Sequence, residues 1–296
     1  MRAAIILGAI LILAVTFAGC ANTPAKSSYS VDNSGILSVT CIPATTSEQV
    51  LFSNETYTES RIVLHTERGD VTTYLAAPKK PKAAIVYVPG AGETIAAHSG
   101  RIVHYTTAGY AFYFIDTRGR GVETPGEPFG QQLLQEDYNK FKSGEWPQYY
   151  LTICDLVNAR QLLTNRYSVP VYAMGSSNGG RYAAVAAGVD SKFAGYVGIS
   201  TSDWGLLGSV NIQSIPADPL RFATSLEPGS YLPLISPRPV WIFHARDDPI
   251  IPFADGQQFF AEAGEPKNFT EFSGTHGINS DVDTKIIAQW AQIYGT

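Results

Sequence analysis

The sequence predicts an α/β fold with a mostly parallel central sheet, and three observations predict it. From residue 83 onward, short apolar runs alternate with helical stretches, as in sheets whose two faces are covered by crossover helices. The composition, 45% apolar and 16% charged, is that of an ordinary globular domain. It can fill one large core over the region after residue 60. A Gly-Ser-Ser-Asn-Gly pentad, residues 175–179, stands where a strand should turn sharply into a helix.

The elements follow in order. Arg61 to Thr66 and Val71 to Ala77 are β-rich runs around Glu67-Arg68-Gly69-Asp70, a hairpin signal. The Arg-Gly-Asp it contains reads as a turn rather than an adhesion tripeptide. Ala83 to Val88 reads as a buried strand running into Pro89-Gly90-Ala91-Gly92-Glu93, and a helix from about Ile95 to Ala108 leads to the apolar run Tyr110 to Ile115. Pro147 to about Arg166 places Tyr150, Ile153, Leu156, Val157 and Leu163 at helical spacing. Val169 to Met174 is the strand before the pentad, and the small-residue stretch from Gly180 to Ala187 is the helix after it. Strands at Ala194 to Ile199, Val240 to His244 and Asn268 to Ser273 follow, with a last helix at about Asp281 to Ile293.

Two segments break this alternation. Residues 122–146 carry one helical patch at Gln131 to Phe141. Residues 201–239 hold Pro216, Pro219, Pro228, Pro233 and Pro237, too many for a large helical cap, and predict a small lid over an accessible site.

The amino-terminal region is separate. Met1-Arg2 precedes the apolar run Ala3 to Ala18, short for a membrane span and right for a secretory segment. It ends in Phe17-Ala18-Gly19-Cys20. Small residues before a cysteine resemble a bacterial lipobox, which implies lipid attachment at Cys20 and an exported, membrane-anchored protein; Phe17 departs from the usual Leu. A plain signal peptide cut near Ala21 and an uncleaved anchor are the alternatives. The expected plan is a signal peptide over 1–20, a tether and extension over 21–59, and the α/β domain over 60–296, with Ala21 to about Gly35 flexible. Export would permit a disulfide between Cys41 and Cys154, but the uncertain place of Cys41 leaves that pairing open. A net charge of −5 gives no basic footprint for nucleic acid.

The pentad carries the chemistry. A tight strand–turn–helix holds its central residue in a strained conformation and requires small flanks, so Ser177 is the candidate nucleophile. Its alternative is a helix N-cap serine, and neighbouring Ser176 lacks the flanking glycines. A serine needs a base and a group to orient that base. His276, in Gly274-Thr275-His276-Gly277 after the last strand, is the candidate base. His65, His98 and His104 read as surface or packing residues, and His244 as a buried, hydrogen-bonded strand residue. Asp248 is the candidate orienting carboxylate, with Asp247 beside it.

The pentad in its strand–turn–helix setting, the pattern His244-x-x-x-Asp248-x-x-Ile251-Pro252, the late Gly-Thr-His-Gly and the order Ser, Asp, His together resemble the α/β-hydrolase superfamily over roughly residues 60–296. The resemblance implies the α/β-hydrolase fold. It selects Asp248 over Asp247 and implies an oxyanion hole from the backbone N–H groups of Asn178 and Ala91. Pro89-Gly90 stands where the superfamily commonly has His-Gly, which leaves the shape of that loop open. Glu93 reads as a solvated turn residue, with a pocket-facing role favouring a cationic or hydroxylated substrate as the alternative. Asp116 and Arg118 read as structural, and Trp204 as either a pocket wall or packing.

No cofactor is expected. There is no H-E-x-x-H motif and the histidines are scattered, so no metal is expected either. Gly90-Ala91-Gly92 lacks the Lys-Ser/Thr of a phosphate loop. The implied function is an exported serine hydrolase cleaving carboxylic esters through an acyl-enzyme. Its partners would be a small-molecule ester or amide and, through the lipid anchor, a membrane. A peptidase or amidase of the same fold and a non-catalytic surface lipoprotein are the rivals.

Overall fold

The computed structural model describes residues 26–208 and 211–295; Cys20 and the apolar leader lie outside them. The chain runs β1 (Ser28–Val31), β2 (Leu37–Thr40), β3 (Thr45–Ser53), β4 (Thr58–Thr66), β5 (Gly69–Ala77), β6 (Ala83–Val88), α1 (Ser99–Thr107), β7 (Tyr110–Ile115), α2 (Gln131–Ser143), α3 (Gln148–Tyr167), β8 (Val171–Ser176) and α4 (Asn178–Val189). It continues through β9 (Gly195–Ile199), α5 (Ala217–Leu226), α6 (Leu232–Ile235), β10 (Val240–Ala245), α7 (Phe253–Ala261), β11 (Lys267–Phe272) and α8 (Ser280–Tyr294). Nine strands form one sheet in the order β11-β10-β9-β8-β6-β7-β5-β4-β3. The six from β11 to β7 are parallel, and β5, β4 and β3 continue the sheet antiparallel.

The central strands are buried on both faces, which is why they read as continuous apolar runs. In β6, Ala84, Val86 and Val88 enter one core with α3 and α4, while Ala83, Ile85 and Tyr87 enter the other with α1 and α8. Strand β8 divides the same way, Val171 and Ala173 against Tyr172 and Met174. This alternation fixes register, since a one-residue slip would exchange the two cores.

The two segments outside the alternation pack on each other. Phe129 stacks on Trp204 with ring centroids 3.6 Å apart, and Tyr138 and Phe141 of α2 meet Phe222 of α5 at 5.6 and 5.4 Å. Helices α5 and α6 are short, and their buried residues Phe222, Leu226, Leu232 and Ile235 join the core shared with α3 and α4.

The amino-terminal region is more ordered than its composition implies. Within the segment expected to be a flexible tether, Ser28–Val31 pairs with Leu37–Thr40 as a hairpin. Its tight turn is closed by Asp32 Oδ1, which accepts the amides of Ser34 and Ile36 at 2.9 Å each. The extension also supplies β3, so the sheet begins before residue 60. Four-residue strands with two apolar side chains each give little periodic signal, and β3 is exposed along its whole length.

Cys41, just after β2, is bonded to Cys154 in α3, with Cα atoms 5.6 Å apart and a sequence separation of 113. Closing so long a loop should constrain the unfolded chain by about 2–5 kcal/mol. The paired substitution C41S/C154S is therefore expected to lower the denaturant midpoint and the melting temperature, with reductant reproducing the effect in wild type. Equal stability of reduced and oxidised protein would contradict this.

Candidate active site

Each candidate residue sits at a carboxyl end of the parallel strands. Ser177 follows β8, Asp248 follows β10, His276 follows β11, Ala91 follows β6, and Asn178 opens α4. A parallel sheet brings these ends to one edge even when they are far apart in sequence.

Ser177 has φ 52° and ψ −123°, a region an L-residue enters only under constraint. The constraint is contact on both sides. A methyl group on Gly175 would lie 2.3 Å from the backbone of Gly179, and one on Gly179 would lie 2.0 Å from the carbonyl oxygen of Val88. Helix α4 is thus pressed against β6 and β8 at its first turn, and only glycine fits at either flank. The Ser177 amide donates to Ile199 O at 2.9 Å, and Thr201 Oγ1 donates to Ser177 O at 2.9 Å. The elbow is pinned from the β9 side as well. Ser177 makes no capping bond to α4, so its N-cap alternative has no geometric support.

His276 and Asp248 meet. His276 Nδ1 is 2.9 Å from both Asp248 oxygens. The carboxylate also accepts the amides of Ile250 and Ile251 at 2.9 Å each. Burial pushes the Asp248 carboxyl up, but these two amides and the His276 ring outweigh it and hold it below its ordinary value. Nδ1–H donates to the ionised Asp248, which leaves Nε2 as the unprotonated nitrogen of the neutral ring. His244 is fully buried; its Nε2 donates to Ile251 O at 2.9 Å and lies 3.5 Å from Asp248 Oδ2. It braces the carboxylate loop, consistent with its reading as a structural histidine. Asp247 does not share these contacts.

The His276 loop lies against the elbow. A methyl group on Gly277 would be 3.7 Å from Ser176 Oγ and 3.8 Å from Glu93 Oε1. Among the described residues no hydrogen bond joins Ser177 to His276. Gly274 at φ 148° and Gly277 at φ 89° bracket the histidine and give this segment the backbone freedom to adjust. Catalytic hydrogen bonds commonly tighten only when substrate is bound.

The loop after β6 completes the site. A methyl group on Gly90 would be 3.4 Å from Ser177 Cβ, so this loop touches the elbow. The Gly90 amide is occupied by Glu93 Oε2 at 3.1 Å, whereas the amides of Ala91 and Asn178 have no acceptor among the described residues. The Asn178 side chain is held by Arg181 at 2.9 Å. Beside α4 and the Asp248 loop, a cavity of about 430 Å³ is lined by Arg181, Asp203, Trp204, Ile250 and Phe259 among others. Trp204 is therefore both wall and packing, stacked on Phe129 and lying under the Arg181 guanidinium at 4.3 Å.

Glu93 differs from its reading as a solvated turn residue. It is half-buried and bonded to Tyr87 and Gly90, with His98 close by. A charged residue after a Gly-rich turn gave no sequence signal of those partners, because Tyr87 and His98 were assigned to strand and helix packing. Asp116 accepts the amides of Val122, Glu123 and Thr124, and Arg118 pairs with buried Asp155 at 2.7 Å and with Arg68 O at 3.1 Å. Both are structural, as expected, although Asp155 was not foreseen as the partner.

The chain has the α/β-hydrolase fold, with a serine, a histidine and an aspartate at the strand ends of one sheet edge. Comparison with known proteins agrees. The profile of the serine aminopeptidase S33 family matches residues 79–206, from just before β6 to just beyond β9. The uncharacterized protein YfhR of Salmonella typhi is 24% identical over 206 residues, 67% of this chain, and the match spans 65% of that relative's length. Among solved structures, acetyl xylan esterase from Paenibacillus sp. R4 superposes with a TM-score of 0.68 at 16% identity, over 86% of this chain and 90% of that one. Acetyl xylan esterase 1 from Thermoanaerobacterium sp. JW/SL YS485 gives 0.66 at 14% identity, over 86% and 88%. Likeness at this level shows the fold.

The strained elbow yields a stability test. A non-glycine residue at this conformation costs about 1–3 kcal/mol, more than the about 0.5–1 kcal/mol that glycine loses in chain entropy. Ser177→Gly is expected to match or exceed wild type in urea-unfolding free energy. Destabilisation by more than about 1 kcal/mol would mean the turn is not strained.

Proposed function

We propose that this chain is an exported serine hydrolase that cleaves carboxylic esters, with Ser177 as nucleophile, His276 as base and Asp248 as the group that orients it. One observation carries the reading: the imidazole of His276 is fixed by buried Asp248 with its basic nitrogen free, on a loop packed against the elbow that presents Ser177.

Ser177 Oγ attacks the carbonyl carbon as His276 Nε2 takes its proton. The tetrahedral oxygen gains its charge facing the amides of Ala91 and Asn178, each such donor being worth about 2.7–4 kcal/mol of barrier. Collapse breaks the bond to the alcohol, which leaves with the proton from His276. A water molecule then gives its proton to His276 and attacks the acyl carbon. The acid departs and Ser177 recovers its proton. Asp248 stays ionised and stabilises the imidazolium throughout.

An ester is the first reading because acetyl xylan esterases are among the folds this chain resembles. The S33 profile match supports an aminopeptidase or amidase as the second. The Cys41–Cys154 disulfide supports an oxidising compartment, in keeping with export and with a lipid on Cys20.

Turnover of p-nitrophenyl acetate against aminoacyl amides separates ester from amide chemistry. Ser177→Ala is expected to abolish turnover. His276→Ala and Asp248→Asn should each lower kcat by about 10⁴-fold or more. Near-normal rate in His276→Ala would remove it from the mechanism. For the anchor, Cys20→Ala should release the protein from membranes; unchanged membrane association would contradict lipid attachment there.

A further inference from the structure

We propose that Glu93 is a specificity-determining residue: one of its carboxylate oxygens accepts a hydrogen bond from a hydroxyl or ammonium group on the leaving-group side of the substrate. This rests on the serine-hydrolase reading and adds a substrate class to it.

The two oxygens of Glu93 are in different situations. Oε2 accepts the Tyr87 hydroxyl at 2.9 Å and the Gly90 amide at 3.1 Å, and lies 3.3 Å from His98 Nε2. Oε1 has no partner among the described residues. It stands 3.1 Å from where a methyl group on Gly90 would sit, a point itself 3.4 Å from Ser177 Cβ, and 3.8 Å from the equivalent point on Gly277. One acceptor atom is therefore placed between the oxyanion loop, the nucleophile and the His276 loop. His276 must protonate the leaving group, so the Gly277 side of the mouth is the leaving-group side.

The carboxylate is held rigidly. His98 is bonded to Arg101, and Arg101 donates to both oxygens of Asp283 in α8 at 2.9 and 3.0 Å and to Ile278 O at 3.3 Å. This chain ties the loop after β6 to the segment following His276, so Oε1 cannot swing away as a surface glutamate would. Burial pushes the Glu93 carboxyl up, but His98, the Tyr87 hydroxyl and the Gly90 amide outweigh it and keep it below its ordinary value. Bracing the loop uses Oε2 alone. Oε1 is open to solvent, so a substrate hydroxyl or ammonium can exchange water for a charge-assisted hydrogen bond there, whereas an apolar isostere displaces the water and offers nothing in return.

The test compares acetate release from two matched pairs of esters. For the ammonium they are 2-(dimethylamino)ethyl acetate and 3-methylbutyl acetate. For the hydroxyl they are 2-hydroxyethyl acetate and 2-methoxyethyl acetate. Wild type is expected to favour the donor-bearing member of at least one pair by about tenfold or more in kcat/KM, and the preferred pair identifies the donor. In Glu93→Gln the carbonyl oxygen replaces Oε2 toward the Tyr87 hydroxyl and the Gly90 amide, which puts an NH₂ where the acceptor was. The preference should then fall to within about threefold. Ratios near one for both pairs in wild type, a measurement that needs no variant, would overturn the proposal. So would a ratio unchanged in Glu93→Gln while both rates fall together, which would leave Glu93 as a loop brace only. Ester turnover without donor preference removes this inference alone. A wild-type protein that cleaves neither these esters nor p-nitrophenyl acetate removes the esterase reading beneath it.

Discussion

The contact of Gly179 with the carbonyl of Val88 is the constraint on which the site depends. It lets α4 start directly against β6, and that start forces Ser177 to a positive φ. The same approach brings the first amide of α4 beside the loop after β6, where Gly90 touches Ser177. A larger residue at 175 or 179 would push the helix away and separate Ser177 from the amides of Asn178 and Ala91 at once. The small residues of α4, among them Ala183, Ala184, Ala186 and Ala187, all fully buried, serve the same end by keeping the helix close to the sheet.

Electrostatics complete what packing begins. Two carboxylates flank the elbow, and in each burial is outweighed by directed hydrogen bonds. Asp248 is consumed by two backbone amides and the imidazole, so its charge is spent inside the protein. Glu93 is satisfied on one oxygen only. The first arrangement suits a group that must orient a base without reacting, and the second suits a group that meets a ligand. His244 and His98 play parallel parts behind them, beside the Asp248 loop and the loop after β6 respectively.

Much of this was legible in the sequence because the site's residues carry local backbone demands. Gly175 and Gly179 announce the elbow, and His244 and Pro252 frame Asp248. The central strands were legible for a related reason: burial on both faces makes Ala83–Val88 and Tyr110–Ile115 apolar without interruption, and both are observed with those bounds. What escaped was set by distant contacts. The β1–β2 hairpin is held by Tyr29 against Trp146 and Tyr150 and by the Tyr231 hydroxyl on the Leu37 amide, none of which a Ser/Thr-rich segment reveals. The partners of Glu93 and of Arg118 lie on other elements, and a single chain without its fold does not show which buried tyrosine or aspartate will meet them.

The central claim, that the elbow presents Ser177 as the reactive group beside a base held by Asp248, is tested most directly by locating a covalent adduct. The protein treated with a fluorophosphonate should gain the mass of one phosphonyl group, mapped by peptide mass spectrometry to Ser177, with reaction slowed strongly in His276→Ala. An adduct on another residue, or none on the intact folded protein, would contradict the account.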